Sequence, residues 1–388
     1  MGQGSKVRKK VLVVGMLDSV HLARWTSQFK GTETDITIFP SRRFRKVHPN
    51  LLQQLEDGSI SMISALPSNF HSFSGYIDFF LYENKISSFF GFSRVNKLKN
   101  SLRKTSYEIV HLIEFQHAGY LYTEMGLDKK PNWQTILTNL GSDIYYFSQF
   151  PEHREKIAKL LGMVDSYSAE CIRDYRLARE FGFIGRELPL VPNAGGFSSE
   201  VFETTKVPIL QRNELFLKGY GGEFGLPEVM LAVSEKILLD YPGYIINIVS
   251  VTPDVLPKVM SLKKSFPGRV NYWTTRRPIS HQQVLEMLGR SLIYFGFSKS
   301  DGISTSFLEA LIMGCYPIQA STSCANEWIS KGFIATSVEA IVSKLVPIID
   351  SVLQDKDRLE TASKNNLELA KELLRFEQIK KTSILYYQ

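Results

Sequence analysis

The segment from residue 291 to residue 328 constrains the fold more than any other part of the chain. Leu292–Phe297 is a short apolar run of strand-forming residues, and the polar residues that follow it, with Gly302, predict a loop. A helix comes next and ends at Gly314, because apolar residues recur at helical spacing at Phe307, Leu308, Leu311 and Ile312. Tyr316–Ala320 predicts another strand. The order strand, loop, helix, strand is typical of a parallel α/β sheet.

Two carboxylates, Asp301 and Glu309, flank the predicted start of this helix. A helix N-terminus presents N–H groups and the positive end of the helix dipole, which favours a diphosphate. A carboxylate on the first helical turns can accept hydrogen bonds from two ribose hydroxyls, and one in the preceding loop can reach a sugar. The competing interpretation is structural: Ser306 and Glu309 have the spacing of a capping box, in which Glu309 only satisfies backbone donors.

A glycine-rich loop follows an earlier predicted strand, Glu214–Leu217. Four glycines occur in the seven residues after Lys218, at Gly219, Gly221, Gly222 and Gly225. Glycines let the backbone approach a ligand closely, and successive N–H groups form an anion-binding nest to which Lys218 adds a charge. The alternative is a mobile turn. The loop is not a Walker loop, because no Gly-Lys-Ser/Thr follows at the required spacing.

The segment around residues 301–327 resembles the donor-site signature of the retaining GT-B glycosyltransferases of family 4. That signature is an acidic residue, seven residues and a Glu, here Asp301 and Glu309, followed by Ala, here Ala310, and by Gly-x-Pro-like residues, here Gly314-Cys315-Tyr316-Pro317. The family's first acidic residue is usually Glu, so Asp301 is a departure. Glu327 stands where the family has a further Glu, although the turn before it lacks the family's glycines.

The resemblance implies an α/β protein of GT-B architecture, with two Rossmann-like doubly wound domains facing a cleft. It implies roles in catalysis for Asp301, Glu309 and Lys218, and no metal or cofactor. The donor substrate would be a nucleoside-diphosphate sugar, with UDP or GDP as the nucleotide. The residues expected to bind it are Gly219, Gly221, Gly222, Ile303, Ser304, Thr305, Glu309 and Glu327.

The first half of the chain supplies the residues expected to line the acceptor side of the cleft. They follow three predicted strands, Val11–Gly15, Glu108–Phe115 and Trp133–Thr138, and carboxyl ends of strands are where α/β sheets bind ligands. The candidates are Gly15, Asp18, His21, His117 and Asp143. For Asp18 the alternative is a helix cap, and for both histidines it is a structural role.

Three domain ranges are predicted. Asn193–Phe197 resembles the Pro-Asn-Gly segment that ends the first domain in the family, and the polar residues 197–213 predict a linker. We expect an N-terminal acceptor domain at residues 1–200 and a C-terminal donor domain at residues 201–370. We expect the amphipathic run at residues 371–388 to return to the first domain as a helix, as it does in GT-B enzymes.

Composition limits the possible partners and location. The chain has 388 residues, enough for two domains, and a net charge of +7, which suits anionic partners. No nucleic-acid motif is present, no stretch is apolar enough to span a bilayer, and no signal peptide is recognised. Three cysteines without metal spacing, Cys171, Cys315 and Cys324, fit a reducing cytoplasm.

An anionic membrane surface is the expected partner of the basic clusters. Arg42–Lys46 is one cluster, and basic residues at 94–104 follow an aromatic-rich stretch at 69–93 that includes Phe79–Phe80 and Phe89–Phe90. Basic residues beside exposed aromatics suit the cytoplasmic face of a membrane. The alternative is that the aromatics belong to the core and the charges face solvent.

The predicted activity is transfer of a sugar, with retention, from a nucleoside-diphosphate sugar to a glycan or a polyprenyl-diphosphate-linked acceptor. Relatives of this kind build bacterial surface polysaccharide such as O-antigen or capsule at the inner face of the cell membrane, and the resemblance implies that role. The alternatives are a non-catalytic GT-B protein that binds a nucleotide sugar or polysaccharide, or a GT-B sugar epimerase.

Overall fold

The structure, a computed structural model, describes residues 8–63, 93–127, 129–328, 334–336 and 341–388. The chain divides into two compact units. The first unit comprises residues up to Gly195 together with Ile379–Gln388, and the second comprises Gly196–Gln378.

The first unit is built on a parallel sheet of seven strands in the order β3-β2-β1-β4-β5-β6-β7. Buried apolar runs form the central strands, as expected for a parallel sheet covered on both faces. The strands are β1 (Lys9–Gly15), β2 (Thr34–Pro40), β3 (Ser61–Met62), β4 (Ile109–Ile113), β5 (Gln134–Thr138), β6 (Ser166–Ser168) and β7 (Arg186–Glu187).

Helices connect these strands. They are α1 (Val20–Ser27), α2 (Pro49–Glu56), α3 (Arg94–Lys104), α4 (Tyr120–Thr123), α5 (Pro151–Leu161) and α6 (Ile172–Glu180), with a π-helical turn at Phe115–Gly119 directly before α4. Ser19, and not Asp18, caps α1 by accepting a hydrogen bond from the His21 N–H. Apolar clusters lie among these helices and the sheet, and the one that contains Val11 and Val13 of β1 also buries Ile379, Tyr386 and Tyr387 from the chain's end.

The second unit has a parallel sheet of six strands in the order β10-β9-β8-β11-β12-β13. Its strands are β8 (Glu214–Lys218), β9 (Ile245–Val251), β10 (Val270–Thr274), β11 (Ser291–Gly296), β12 (Tyr316–Ala320) and β13 (Ile334–Thr336). Its helices are α7 (Ser199–Glu203), α8 (Pro227–Asp240), α9 (Leu256–Ser265), α10 (His281–Arg290), α11 (Thr305–Ile312), α12 (Ile341–Gln354) and α13 (Lys356–Leu373). The last helix, α14 (Phe376–Ile384), contains the boundary between the units.

Two parallel sheets with intervening helices confirm the predicted α/β fold class. In each sheet the first strand in sequence lies beside the fourth, which is the Rossmann order. The place where the strand order reverses, between β1 and β4 and between β8 and β11, is where such sheets bind ligands, outside the carboxyl ends of the strands.

One local prediction is corrected, and two local features were absent from the sequence analysis. The run 371–388 does not form one helix: α13 stops before α14 because Phe197 inserts between them, with its N–H donating to Leu374 O and its carbonyl accepting from the Phe376 N–H, each at 2.8 Å. The predicted linker, residues 197–213, contains α7 and a 3₁₀ turn at Ile209–Gln211. The short edge strands β3 and β7 were not predicted.

The structure describes some of the residues that were expected to contact a membrane surface. The aromatic residues Phe79–Phe80 and Phe89–Phe90 lie outside the described residues. Arg94 is buried, not surface-exposed, and donates to the carbonyl of Pro40 at 3.0 Å. Over the described ranges, no helix combines the length and apolar character that crossing a bilayer requires.

Candidate active site

Lys218 is the centre of a polar cluster at the reversal point of the second unit's sheet. It ends β8, and its Nζ donates to Ser304 Oγ at 3.0 Å, just before α11. Ser304 Oγ lies 2.9 Å from Ser306 Oγ, which in turn lies 3.1 Å from the Tyr294 hydroxyl on β11. The Lys218 ammonium also lies over the Tyr220 ring, 4.9 Å from its centroid. Strand β8 thus delivers a cation to the N-terminus of α11.

Electrostatics tie the two predicted carboxylates to Lys218. Burial lowers the pKa of Lys218, and the charges of Asp301 and Glu309 oppose that shift. The Asp301 charge adds to the effect of burial in raising the pKa of the Tyr220 hydroxyl. A partly buried cation on which two carboxylates act gives this edge both signs of charge: positive charge can bind phosphate, and negative charge can accept from hydroxyls.

Glu309 is not a helix cap. The N-cap of α11 is Ser304, so Glu309 occupies the fifth helical position, beyond the reach of a capping box. Its side chain is buried, and one carboxylate oxygen lies 2.7 Å from Nε2 of His281, the first residue of α10. The capping interpretation of Ser306 and Glu309 is therefore wrong, and a carboxylate with remaining acceptor capacity stands beside the start of α11.

His281 is a residue that the sequence did not single out. Ser280 caps this helix in a full capping box with Gln283. That cap fixes the start of α10 and places His281 against Glu309. The only available signal was its position directly after a cap at the carboxyl end of β10.

The glycine loop is held by its own acceptors. The Gly221 N–H donates to Thr252 Oγ1 at 2.9 Å and the Gly222 N–H to an Asp254 carboxylate oxygen at 3.2 Å. Gly222 has a φ of +67°, which a side chain would strain. Gly219 packs against β9, because a Cβ there would lie 2.6 Å from a methyl group of Ile248. The structure therefore does not present the Gly221 and Gly222 amides as an open anion nest.

The remaining predicted donor residues lie at the same edge. Ile303 is buried, and Thr305 begins α11. Glu327 is exposed and ends a 3₁₀ turn, Ala325–Glu327. The residue before that turn, Cys324, donates its N–H to the Gly302 carbonyl at 2.9 Å, which joins the turn to the loop that carries Asp301.

The first unit has its own polar cluster, at the ends of β1, β4 and β5. Gly15 ends β1, and Asp18 in the next loop forms an ion pair with Arg42 at 3.0 Å. The Arg42 and Asp18 charges both act on His117; burial lowers the pKa of His117, Arg42 lowers it further and Asp18 opposes them. The His21 ring is 3.0 Å from the Asn193 carbonyl, a partner within the same unit. The structure thus brings Asp18, Arg42 and His117 together.

Asp143 is buried, and its role in the structure is to join two loops. One of its carboxylate oxygens accepts from the Phe115 N–H at 3.1 Å and from the Leu140 N–H at 2.9 Å. Asp143 was expected to contact the acceptor, whereas in the structure this oxygen accepts hydrogen bonds from two backbone N–H groups.

Glu114, beside Asp143, was also missed by sequence reasoning. It has a φ of +82°, rare for a side chain larger than Asn and worth roughly 1–3 kcal/mol of strain. Its carboxylate accepts from the N–H groups of His117 and Ala118 and so caps the π-helical turn that carries His117. Burial and the nearby Glu114 charge raise the pKa of Asp143, and burial likewise raises that of Glu114.

Comparison with known proteins identifies the fold. No protein-family model matches the sequence, and no curated protein matches it. Among solved structures, sucrose-phosphate synthase from Thermosynechococcus elongatus matches with a TM-score of 0.69 and 13% identity, covering 98% of both chains. HepE from Anabaena, in complex with UDP-glucose, matches with a TM-score of 0.67 and 11% identity, covering 97% of this chain and 98% of HepE. A glycosyltransferase from Rickettsia africae has a TM-score of 0.68 and 13% identity over 98% of both chains. At these identities the likeness concerns the fold, and the chain has the two-sheet α/β fold of the GT-B glycosyltransferases.

Proposed function

We propose that this protein is a retaining, metal-independent glycosyltransferase that transfers a sugar from a nucleoside-diphosphate sugar to a glycan or lipid-linked acceptor. The observation that carries the proposal is the cluster at the end of β8, where Lys218 contacts Ser304 at the N-terminus of α11 while two carboxylates, Asp301 and Glu309, act on the same lysine. The fold alone would not decide function; the cluster at its ligand-binding edge supports it.

The proposed chemistry centres on the leaving diphosphate. Its departure builds negative charge, which the Lys218 ammonium and the N-terminus of α11 are placed to stabilise. Glu309 would bind the ribose hydroxyls, and Asp301 would orient the sugar as its anomeric carbon becomes oxocarbenium-like. We assign no covalent nucleophile: as the resemblance implies, the leaving phosphate itself would take the acceptor's proton.

The glycine loop enters this proposal in a modified form. Since the Gly221 and Gly222 amides are bonded to Thr252 and Asp254, they would have to exchange partners before they could contact a phosphate. The Lys218 ammonium has three N–H donors and is shown donating to Ser304 Oγ. In the proposal, Lys218 and the N-terminus of α11 therefore make the phosphate contact.

The donor base and the biological role rest on resemblance. HepE is described in complex with UDP-glucose and with UDP and glucose, which supports UDP over GDP as the first donor nucleotide to test. We further propose a role in bacterial surface polysaccharide such as O-antigen, at the cytoplasmic face of the membrane. An acceptor on a polyprenyl diphosphate would bring the protein to that surface.

Calorimetry with UDP, GDP, ADP and CMP in the presence of EDTA tests the donor site. We expect one nucleotide to bind without metal and Glu309→Ala to weaken it at least tenfold, because Glu309 would lose the ribose contact. The control is Glu286→Ala, which removes an exposed carboxylate from α10. Ligand at about a hundredfold over its Kd should also stabilise the second unit by roughly 2.7 kcal/mol.

Two results would contradict the proposal: no nucleotide binds, or Glu309→Ala binds as tightly as the unaltered protein. Donor turnover then separates an enzyme from a binding protein. Hydrolysis or transfer of the sugar by the unaltered protein, lost in Asp301→Asn, supports catalysis, whereas binding without any turnover favours the non-catalytic alternative.

A further inference from the structure

A basic pocket lies in the first unit, in the loop between β2 and α2. It has a volume of about 550 Å³ and is lined by Asp18, Arg42, Arg43, Phe44, Arg45 and Lys46. Four of these six side chains are cations and one is an anion. We call it the Arg42–Lys46 pocket.

The loop that forms the pocket is fixed at both ends. The Ser41 N–H donates to the Gly15 carbonyl at 2.9 Å, and the His48 N–H donates to the Leu17 carbonyl at 2.8 Å. Between these two bonds, Phe44 and Val47 are buried in the core that contains β1. The cations therefore project from a backbone that is anchored at four points, so little ordering entropy would be lost when they bind an anion.

Two of the four cations in the pocket, Arg45 and Lys46, form no ion pair with the described residues. Asp18 pairs with Arg42. The Nε of Arg42 is buried and has no hydrogen-bond acceptor among the described residues. A buried donor without an acceptor costs free energy, which a bound anion would recover.

The pocket adjoins the candidate acceptor residues. Arg42 is shared between them, because its charge acts on both His117 and Glu114 while its guanidinium forms part of the pocket wall. Both lie at the carboxyl edge of the sheet, where β1 and β4 end and where parallel sheets bind ligands. A ligand held in the pocket would therefore extend towards His117.

We propose that the Arg42–Lys46 pocket binds a phosphoryl or diphosphoryl group of the sugar acceptor, a proposal that rests on the glycosyltransferase function. Phosphate oxygens match the guanidinium fork, and several Arg and Lys side chains in one pocket are the usual phosphate receptor. A concave pocket selects one such group, whereas a membrane surface would meet exposed cations on a broad face. The ion pair with Asp18 uses Nη2 of Arg42, which leaves Nε of Arg42 and the cations Arg45 and Lys46 for the phosphate.

Inorganic pyrophosphate is the first probe, titrated by calorimetry into the full chain with EDTA present and the donor site saturated with its nucleotide. We expect saturable binding at one site that Arg45→Gln/Lys46→Gln weakens at least tenfold. The matched control is Lys263→Gln/Lys264→Gln, which removes the same net charge from two exposed residues of α9. Nucleotide affinity should be unchanged in both double variants.

The outcomes separate the two proposals. Nucleotide binding without pyrophosphate binding, or equal pyrophosphate affinity in the two double variants, overturns the pocket and leaves the glycosyltransferase proposal standing. Pyrophosphate binding that Glu309→Ala retains, and that is lost when Arg45→Gln/Lys46→Gln is added to it, supports two independent sites. Binding to anionic vesicles that the Arg45/Lys46 variant loses, without any binding of pyrophosphate, would overturn the pocket in favour of a membrane-facing surface.

Two further ligands identify the source of the phosphate. Farnesyl diphosphate in detergent stands for a lipid-linked acceptor, and a hexose phosphate stands for a soluble one. Tighter binding of farnesyl diphosphate than of pyrophosphate supports the lipid-linked source, and tighter binding of the hexose phosphate supports the soluble source. Whichever ligand binds more tightly than pyrophosphate must lose that advantage in Arg45→Gln/Lys46→Gln. If the advantage persists in this variant, the ligand binds outside the Arg42–Lys46 pocket.

Discussion

A hydrogen bond between His281 and Glu309 prepares the carboxylate that the proposed donor site depends on. Glu309 is 4% exposed, yet it lies at the side of α11 and has no partner from its own helix turn. Its contact with His281 fixes one oxygen and leaves the other oxygen's lone pairs for a ligand. A buried carboxylate whose rotamer is already set would lose less entropy when it binds two ribose hydroxyls.

We predict that His281→Ala weakens nucleotide binding about three- to tenfold, the effect of about 1 kcal/mol for one lost hydrogen bond. His281→Gln should restore part of the affinity, because its amide can donate to the same oxygen. Calorimetry measures both, and the Kd of the second variant should lie between those of the first and the unaltered protein. Equal affinity in all three would mean that His281 does not position Glu309.

The buried pair Glu114 and Asp143 makes the stability of the first unit depend on pH. Burial raises the pKa of both carboxyls, and in Asp143 the Glu114 charge adds to the shift. An unfolded chain ionises such groups near pH 4. The folded state therefore retains protons that the unfolded state has lost, and stability falls as the pH rises from about 4 through the folded pKa values.

Asp143→Asn should reduce this loss of stability. The amide oxygen can still accept from the Phe115 and Leu140 N–H groups, which share one carboxylate oxygen in the native protein, and the variant has one titrating group fewer. Relative to the unaltered protein, we expect it to gain roughly 1 kcal/mol or more in the free energy of unfolding between pH 5 and pH 8, about the value of one pKa unit. Urea denaturation at the two pH values measures this, with Glu155→Gln on α5 as an exposed control. A difference that does not change with pH would contradict it.

At the scale of elements, sequence pattern predicted the strands well and the interruptions poorly. The central strands are continuous apolar runs, and β12 was predicted at its observed bounds, Tyr316–Ala320. The edge strands β3 and β7 have two residues each, too short for any periodicity. No Gly or Pro marks the break between α13 and α14. The break involves backbone hydrogen bonds to Phe197, which is distant in sequence.

The same distinction holds for the candidate site. Lys218, Asp301 and Glu309 could be found because strand ends and helix starts are readable locally. The hydrogen-bond partners of this site could not be found in the same way. His281 contacts Glu309 from another helix, and Thr252 and Asp254, in the loop after β9, accept hydrogen bonds from the glycine-loop amides. Such contacts depend on how loops after different strands meet at one edge, which no local pattern encodes.

At the scale of the whole molecule, the C-terminal residues complete the core of the first unit. The Tyr387 hydroxyl accepts from Trp25 Nε1–H at 2.9 Å and lies 2.8 Å from His111 Nδ1, and His111 Nε2 lies 2.6 Å from Thr138 Oγ1. Burial lowers the pKa of His111 to about 3, so the ring is neutral. The Tyr387 hydroxyl therefore joins Trp25, His111 and Thr138 in one buried chain of hydrogen bonds.

Tyr387→Phe tests this chain of hydrogen bonds. The variant leaves the Trp25 N–H and His111 Nδ1 buried without their partner, which should cost about 1–3 kcal/mol of unfolding free energy. The loss belongs to the first unit, so hydrogen exchange should become faster in β1 and β4, whereas nucleotide affinity at the second unit's edge stays the same. The control is Tyr272→Phe, because the Tyr272 hydroxyl forms no hydrogen bond with the described residues. Unchanged exchange in β1 and β4 would show that Tyr387 does not stabilise that core. An equal loss of unfolding free energy in Tyr387→Phe and Tyr272→Phe would show that the buried hydrogen bonds are not its cause.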